Sequence, residues 1–368
     1  MFRQAEAVFT ALQLDPLPQV TLITAQDLAG RHVPPFPTSA PALICALQSP
    51  DLVIVMRQAL LPIYPANHMT QLVHVLDHSG SPEIEKLPLG EIHNSSRLGA
   101  GSSLYLPALG AATSFEAFLE IIAHLRAPDG CPWDREQTHQ TLRTHLLEET
   151  YEVLAALDAD NPAEMREEFG DLLLQVVLHA QIAAEYGEFN IAEVLESIHT
   201  KLVRRHPHVF GDVEIKDAQG VLRNWERLKA AERQANGKSA ASLLDGVGSA
   251  LPALLQAEQY QRRAAHVGFD WPDITGVLAK LEEELQEVHA ARNAQERYAE
   301  IGDLLFAVVN LARWLKVEPE SALRDTNRRF RQRFSFIEQQ ARLQGRSIAD
   351  LSLDEMEALW QEAKRSRE

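Results

Sequence analysis

The alternation of apolar and polar positions changes character once along the chain. Up to about Thr113 it consists of short, β-branched apolar runs between Pro-rich breaks: Val20-Thr21-Leu22-Ile23, Asp51-Leu52-Val53-Ile54-Val55 and Gln71-Leu72-Val73-His74-Val75-Leu76. Runs of that length, bounded by turn residues, predict strands. Beyond Ser114 the text turns to Ala, Leu, Glu and Arg in helical period, as in Phe115, Phe118, Leu119 and Ile122. Apolar residues three and four apart predict helices with one face turned to a core. The expected fold is mainly all-α, two tandem helical domains forming bundles, preceded by a small α/β region.

Self-comparison of the helical part reveals an internal duplication. Glu148-Glu149-Thr150-Tyr151-Glu152 recurs as Glu283-Glu284-Leu285-Gln286-Glu287, at an offset of 135. Glu168-Phe169-Gly170-Asp171-Leu172-Leu173 recurs as Glu300-Ile301-Gly302-Asp303-Leu304-Leu305 at 132, and Trp225 with Lys229 recurs as Trp360 with Lys364 at 135. The expected parts are therefore residues 1–113, a first helical domain 114–234, a linker 235–250 containing Gly, Ser, Asn and Lys, and a second helical domain 251–368.

Within each copy the first motif carries carboxylates at i, i+1 and i+4 and the second at i and i+3, so Glu149 pairs with Glu152 and Glu168 with Asp171 on one helix face. Taken once, such a string is a solvated helix surface; its ordered recurrence argues for chemistry. The neighbouring Leu172, Leu173, Leu174, Val176 and Val177, and Leu304, Leu305, Val308 and Val309 in the second copy, border a bundle interior. Like charges gathered there repel one another unless a cation neutralises them. Hard, oxygen-only donors suit Mg²⁺ or Mn²⁺. No His joins either motif, which weakens a di-iron reading based on Glu-x-x-His pairs.

Composition narrows the function. Acidic residues (52) outnumber Lys plus Arg (35), for a net charge of −17, of which −3 falls in residues 1–113 and −14 in the remainder. A protein that coats nucleic acid carries the opposite sign. Local cations are nevertheless present: Lys201 and Arg205 are four apart and correspond to Arg329 and Arg333, while Lys229 and Lys364 follow the repeated Trp residues. Opposite a metal cluster such cations would bind nucleotide phosphates, with Trp225 or Trp360 stacking on a base or packing beside it; singly, each is equally well a solvated surface charge. The two cysteines, Cys45 and Cys131, are too few for a disulfide framework and match no zinc spacing. There is neither an apolar signal core at the N-terminus nor a run of the roughly 18 to 20 apolar residues that a spanning helix needs. A soluble protein of the reducing cytoplasm, with no membrane partner, is expected.

At these motifs the sequence resembles the MazG family of nucleoside triphosphate pyrophosphohydrolases in its form with two tandem domains, over roughly residues 114–367. The resemblance includes Cys131-Pro132-Trp133-Asp134-Arg135-Glu136-Gln137-Thr138-His139, Arg204-Arg205-His206-Pro207-His208-Val209-Phe210 and Val267-Gly268-Phe269-Asp270-Trp271. Asp134 with Gln137 three residues on resembles a capping box starting the first motif helix, and His206-Pro207-His208 reads as a structured turn rather than as metal ligands. The resemblance implies Mg²⁺-dependent cleavage of NTP to NMP and pyrophosphate by a homodimer. By position it implies that Glu149, Glu152, Glu168 and Asp171 hold metal in the first copy, and Glu284, Glu287, Glu300 and Asp303 in the second. Glu148 and Glu283 would orient or deprotonate water, or complete the metal shell. Arg329 stands where that family presents Lys. Leu60-Leu61-Pro62-Ile63-Tyr64-Pro65, Leu72-Val73-His74-Val75, Lys86-Leu87-Pro88-Leu89-Gly90-Glu91 and Ser103-Leu104-Tyr105-Leu106-Pro107 resemble the C-terminal half of a tetrapyrrole methylase domain. That domain's Gly-rich half has no counterpart, which implies a remnant serving packing, assembly or regulation. A nucleotide-binding regulatory module that does not cleave its ligand is the alternative.

Overall fold

A computed structural model describes residues 2–75, 82–215, 217–235 and 242–365. The contacts divide the chain into two compact units, residues 1–198 and 199–368. The first opens with α1 (Phe2–Leu12), β1 (Thr21–Thr24), α2 (Ala25–Ala29), β2 (Ala42–Cys45), α3 (Pro50–Leu60), β3 (Met69–His74), β4 (Glu83–Pro88) and β5 (Ser102–Leu106). The strands form a five-stranded sheet in the order β1-β2-β5-β3-β4, with β1 and β2 parallel and the remaining pairs antiparallel. Successive residues of a strand face opposite ways. Ala42 and Ile44 of β2 therefore pack with Leu28, Val53, Met56 and Leu60 of α2 and α3, whereas Leu43 and Cys45 pack with Ala5 and Val8 of α1.

The run Asp51-Leu52-Val53-Ile54-Val55, expected as a strand, is part of helix α3. Ser49 accepts a hydrogen bond from the Leu52 amide and Pro50 occupies the first turn, a helix-start signal that outweighs the β-branched content of the run. Val53, Met56, Ala59 and Leu60 are then buried at helical spacing. The other two expected strands are β1 and β3, although Leu76 lies outside the described residues.

From Ser114 onward the chain is helical, which makes the protein mainly α: α4 (Phe115–Arg126), α5 (Pro132–Glu136), α6 (Arg143–Asp158), α7 (Pro162–Glu185), α8 (Ile191–Arg205), α9 (Pro207–Phe210), α10 (Ala218–Ala235), α11 (Ala253–His266), α12 (Ile274–Ala290), α13 (Ala294–Trp314), α14 (Pro319–Leu343) and α15 (Leu353–Arg365). The unit boundary falls inside α8. Phe115, Phe118, Leu119 and Ile122 of α4 do face one core, shared with Leu142, Val177, Leu178 and Ile182. Arg126, only 5% exposed, closes that core with a two-pronged ion pair to Glu185, its Nε 2.7 Å from Oε1 and its other prong 2.6 Å from Oε2.

The expected capping box does not start the first motif helix. Gln137 ends the short α5 and turns back to donate to the Trp133 carbonyl, while α6 begins at Arg143 after Leu142, which makes no side-chain cap. Pro132 starts a separate turn of helix five residues long, and this consumes the Asp-x-x-Gln spacing before α6 begins. His206-Pro207-His208 enters the one-turn α9, with its imidazoles 5.7 Å apart. Of the expected linker, residues 236–241 lie outside the described residues, as do residues 366–368 beyond Lys364 and Arg365 of α15. No described helix is long and apolar enough to cross a membrane.

Candidate metal centre

Two helical hairpins carry the repeated carboxylates. Helices α6 and α7 are joined by residues 159–161, α12 and α13 by residues 291–293, at the same offset of 132 that separates the second motifs. Each second helix starts from an Asn: Asn161 accepts from the amides of Ala163 and Glu164, and Asn293 from those of Gln295 and Glu296. These caps satisfy amides that a helix start leaves unpaired, and they set where Glu168 and Glu300 begin their turns.

Packing the hairpins closes the carboxylates on one another. Glu149 and Glu152 of α6 meet Glu168 of α7, with one oxygen of each within 4.8 Å of the other two; Glu284 and Glu287 of α12 meet Glu300 of α13 in the same way. Loss of solvent pushes the Glu149 carboxyl above the usual carboxylate range, followed by the charges of Asp171, Glu152 and Glu168. Glu168 is raised by desolvation and then by Glu152 and Asp171, and Glu287 by desolvation and then by Glu284 and Glu300. Asp171 thus contributes its field to the first cluster, and Asp303 shares a cavity wall with Glu284 in the second.

Glu284 is 5% exposed, and its Oε2 has no hydrogen-bond partner. A buried carboxylate oxygen without a partner is costly, and its natural complement is a cation. Three converging carboxylates with no nitrogen or sulfur donor fit a hard divalent ion. Among the described residues these two triads are the groups of side chains that could hold a metal.

Glu148 and Glu283 sit beside the triads with nitrogen partners three residues earlier on the same helix. His145 Nδ1 lies 3.4 Å from Glu148, and Lys280 Nζ lies 2.9 Å from Glu283 and 2.8 Å from Glu284. The hydrogen bond to Glu284, and then that to Glu283, raises the Lys280 ammonium above its ordinary value. Sequence reasoning missed His145 and Lys280, although they obey the same offset of 135 as the motifs they serve. Asn161 and Asn293, equally missed, obey the offset of 132.

The cations all lie in the second unit. In the second unit the Arg205 guanidinium and the Lys229 ammonium lie 5.2 and 4.8 Å from the centre of the Trp225 ring, and Glu232 accepts from Arg204 and Arg205. Lys201 is half-buried one turn earlier on α8. Arg329, Arg333 and Lys364 line one cavity of about 680 Å³, whereas Glu284 and Asp303 line another of about 590 Å³, with no residue in common. Trp360 packs beside rather than standing free: it joins Ile337, Ala341 and Leu351 in a core, with Phe330 at 5.3 Å and Arg333 at 5.5 Å from its ring.

A model of the MazG nucleotide pyrophosphohydrolase domain matches residues 137–210, which contain the first carboxylate triad. The nucleoside triphosphate pyrophosphohydrolase/pyrophosphatase MazG of Thermotoga maritima is 45% identical over 69% of this chain and 97% of its own length. The nucleoside triphosphate pyrophosphohydrolase of Escherichia coli K12 is 44% identical over 68% of this chain and 97% of its own. An uncharacterized protein of Bacillus subtilis, YabN, is 41% identical over 98% of this chain and 74% of its own length, so its similarity extends through the N-terminal α/β region.

Proposed function

The chain belongs to the MazG family of nucleotide pyrophosphohydrolases, and from that premise we propose that it hydrolyses nucleoside triphosphates, ribo or deoxy, to the monophosphate and pyrophosphate, clearing canonical or aberrant nucleotides. The reading rests above all on the duplicated carboxylate triads, each drawn from two helices of a hairpin. Residues 114–234 and 251–368 are the tandem catalytic domains, forming helical bundles and separated by the linker 235–250. Residues 1–113 are the remnant of a tetrapyrrole methylase half, serving assembly or regulation.

Glu149, Glu152, Glu168 and Asp171 would hold Mg²⁺ or Mn²⁺ in the first domain, and Glu284, Glu287, Glu300 and Asp303 would do so in the second. When bound, the ion polarises phosphoryl oxygens and helps to activate water. The remaining work is positioning and charge neutralisation. Glu148 and Glu283 would orient or deprotonate the attacking water, or complete the metal shell, with His145 and Lys280 steadying their carboxylates. Lys201, Arg205 and Lys229 in one set, and Arg329, Arg333 and Lys364 in the other, neutralise the phosphates; Trp225 and Trp360 brace those cations. The working form is a homodimer of the reducing cytoplasm, consistent with Cys45 and Cys131 being free thiols, and it binds no nucleic acid directly.

Incubation with Mg²⁺ and a panel of NTPs and dNTPs, followed by ion-exchange separation, tests the reading. The expected products are monophosphate and pyrophosphate, absent with chelator and absent in the Glu149→Gln, Glu284→Gln double variant. Diphosphate with free phosphate, or full activity in that variant, would overturn it; binding of the Mg²⁺–nucleotide without turnover would make the protein a regulatory module.

A further inference from the structure

Each carboxylate hairpin is joined by the chain at one end and open at the other. Residues 159–161 connect α6 to α7 and reverse its direction, so the start of α6 lies beside the end of α7, with the carboxylates in between. In the first unit the open end carries a histidine pair. His139 lies in the segment 137–142 that leads into α6, His179 lies on α7 beyond Asp171, and their Nδ1 atoms are 2.8 Å apart. The rings are 13° from parallel and their centres are 5.1 Å apart, farther than the nitrogens. They therefore meet edge to edge in an N–H···N hydrogen bond rather than face to face.

One proton holds that bond, and the surroundings assign it. His179 Nε2 is buried without a partner. A buried donor left unpaired is the rarer fault, so His179 carries its proton on Nδ1 and donates, while His139 Nδ1 accepts. The outer N–H of His139 then faces Glu188, whose Oε2 is 3.9 Å from Nε2. Arg126 of α4 donates to the Gln137 carbonyl at 3.3 Å but is engaged by Glu185 of α7, and the charge acting on His179 is that of His139. The clasped pair has no place for a further proton. On His139 Nδ1 it would set two N–H groups against each other, and on His179 Nε2 it would bury a donor with no acceptor. Burial, and then His139, accordingly push the His179 imidazole below its ordinary value. The half-buried His139 gains its proton by swinging out toward solvent and Glu188, which opens the clasp.

The second copy lacks this pair. The offset of 135 carries the buried Leu142 onto the buried Val277, and that of 132 carries Val177 onto Val309, so the places of His139 and His179 fall to Ile274 and Leu311. Its open end is tied by a charge pair instead: Asp270, just ahead of α12, binds Arg313 in the last turn of α13 at 2.5 and 2.9 Å. The Arg313 guanidinium holds the Asp270 carboxyl below the usual carboxylate range, so that pair stays charged where histidine titrates. We propose that His139 and His179 are positioning residues of the first site: their hydrogen bond shuts the open end of the α6–α7 hairpin, keeps Glu149 and Glu152 within reach of Glu168, and releases on protonation, so that in weak acid the first site loses its cation sooner than the second. The clasp needs neutral rings, so its contribution is present above the ordinary histidine pKa and is lost as pH falls below it. The proposal rests on the reading of the carboxylate triads as cation sites and adds a pH-dependent difference between them.

Calorimetric titration of the full chain with Mg²⁺ tests this, with Glu284→Gln and Glu300→Gln isolating the first site and Glu149→Gln and Glu168→Gln the second. From about pH 7.5 to about pH 5.5 both sites weaken as their carboxylates gain protons, and the first should lose about tenfold more affinity than the second. His139→Asn supplies an oxygen that still accepts from His179 and cannot be protonated. It should keep the affinity of the first site at about pH 7.5 within about twofold of the parent and reduce the acid loss to that of the second site. A contact that only braced the fold would change affinity by the same factor at both pH values. Equal acid loss at the two sites of the parent, or an excess that survives His139→Asn, would overturn the proposal while leaving the cation reading intact. If the first site takes no Mg²⁺, that reading falls there, and melting in chelator decides the clasp. His139→Asn should then melt with the parent at about pH 7.5 and about 2 °C or more above it at about pH 5.5, whereas parallel curves would end the proposal.

Discussion

Glu149, Glu168 and Glu287 hold their protons more tightly in the folded chain than a free carboxylate does. Their contribution to stability is therefore present below the ordinary carboxylate pKa and is lost as pH rises through the raised folded values. At neutral pH in chelator the clusters oppose folding. Glu149→Gln should raise the melting temperature under those conditions by about 1 to 3 °C, and this advantage should vanish near pH 4. Adding Mg²⁺ should reverse the order, because the ion stabilises the form that binds it and the parent binds it better. Calorimetry with and without chelator reads both effects; an equal Mg²⁺ shift in parent and variant would mean that this carboxylate does not hold the ion. Residues of this kind are legible in sequence because their spacing is local: Glu149 and Glu152 share a face on any helix. The placement of Gln261 is not, since its side chain donates to the carbonyl of Phe306, which is distant in sequence.

Among elements, α7 and α13 depend on their caps. Asn161→Ala and Asn293→Ala should each cost about 1 kcal/mol in urea unfolding, the usual loss for an N-cap. Because the caps fix the first turn below Glu168 and Glu300, each variant should also weaken Mg²⁺ binding in its own unit, measured by titration in the background of the other unit's Gln variants. Unchanged stability in both would mean that the amides find other partners. The helix hairpins were readable from apolar period and repetition. Two starts were misread, for one physical reason: competing local signals. Ser49-Pro50 overrode the β-branched run that follows it, and Pro132 began a separate turn where Asp134 and Gln137 suggested a cap.

In the whole molecule, burial is uneven. Most of the large, fully buried side chains, from Leu28 to Leu106, belong to the α/β region, while Leu142 and Ile182 are those of the helical part among the described residues. The motif helices instead leave Phe169 and Leu173 exposed by 49% and 42%, and their counterparts Ile301 and Leu305 by 45% and 51%. Apolar residues repeated at one register on two hairpins mark surfaces that association covers. Sedimentation should give twice the chain mass of 41.1 kDa, and Leu173→Glu with Leu305→Glu should shift it toward the monomer. A parent that sediments as a monomer would mean that these faces are not used between chains.

The amino-acid sequence alone determined the helical character beyond Ser114, the duplication, and which carboxylates share a helix face, because periodicity and repetition are properties of neighbouring residues. Tertiary structure alone decided that Glu168 closes on Glu149 and Glu152, that Trp360 is built into a core, and that the acidic and basic sets of the second copy line separate cavities. Those outcomes depend on how distant helices pack and on which buried polar atoms are left without partners, and local pattern carries neither.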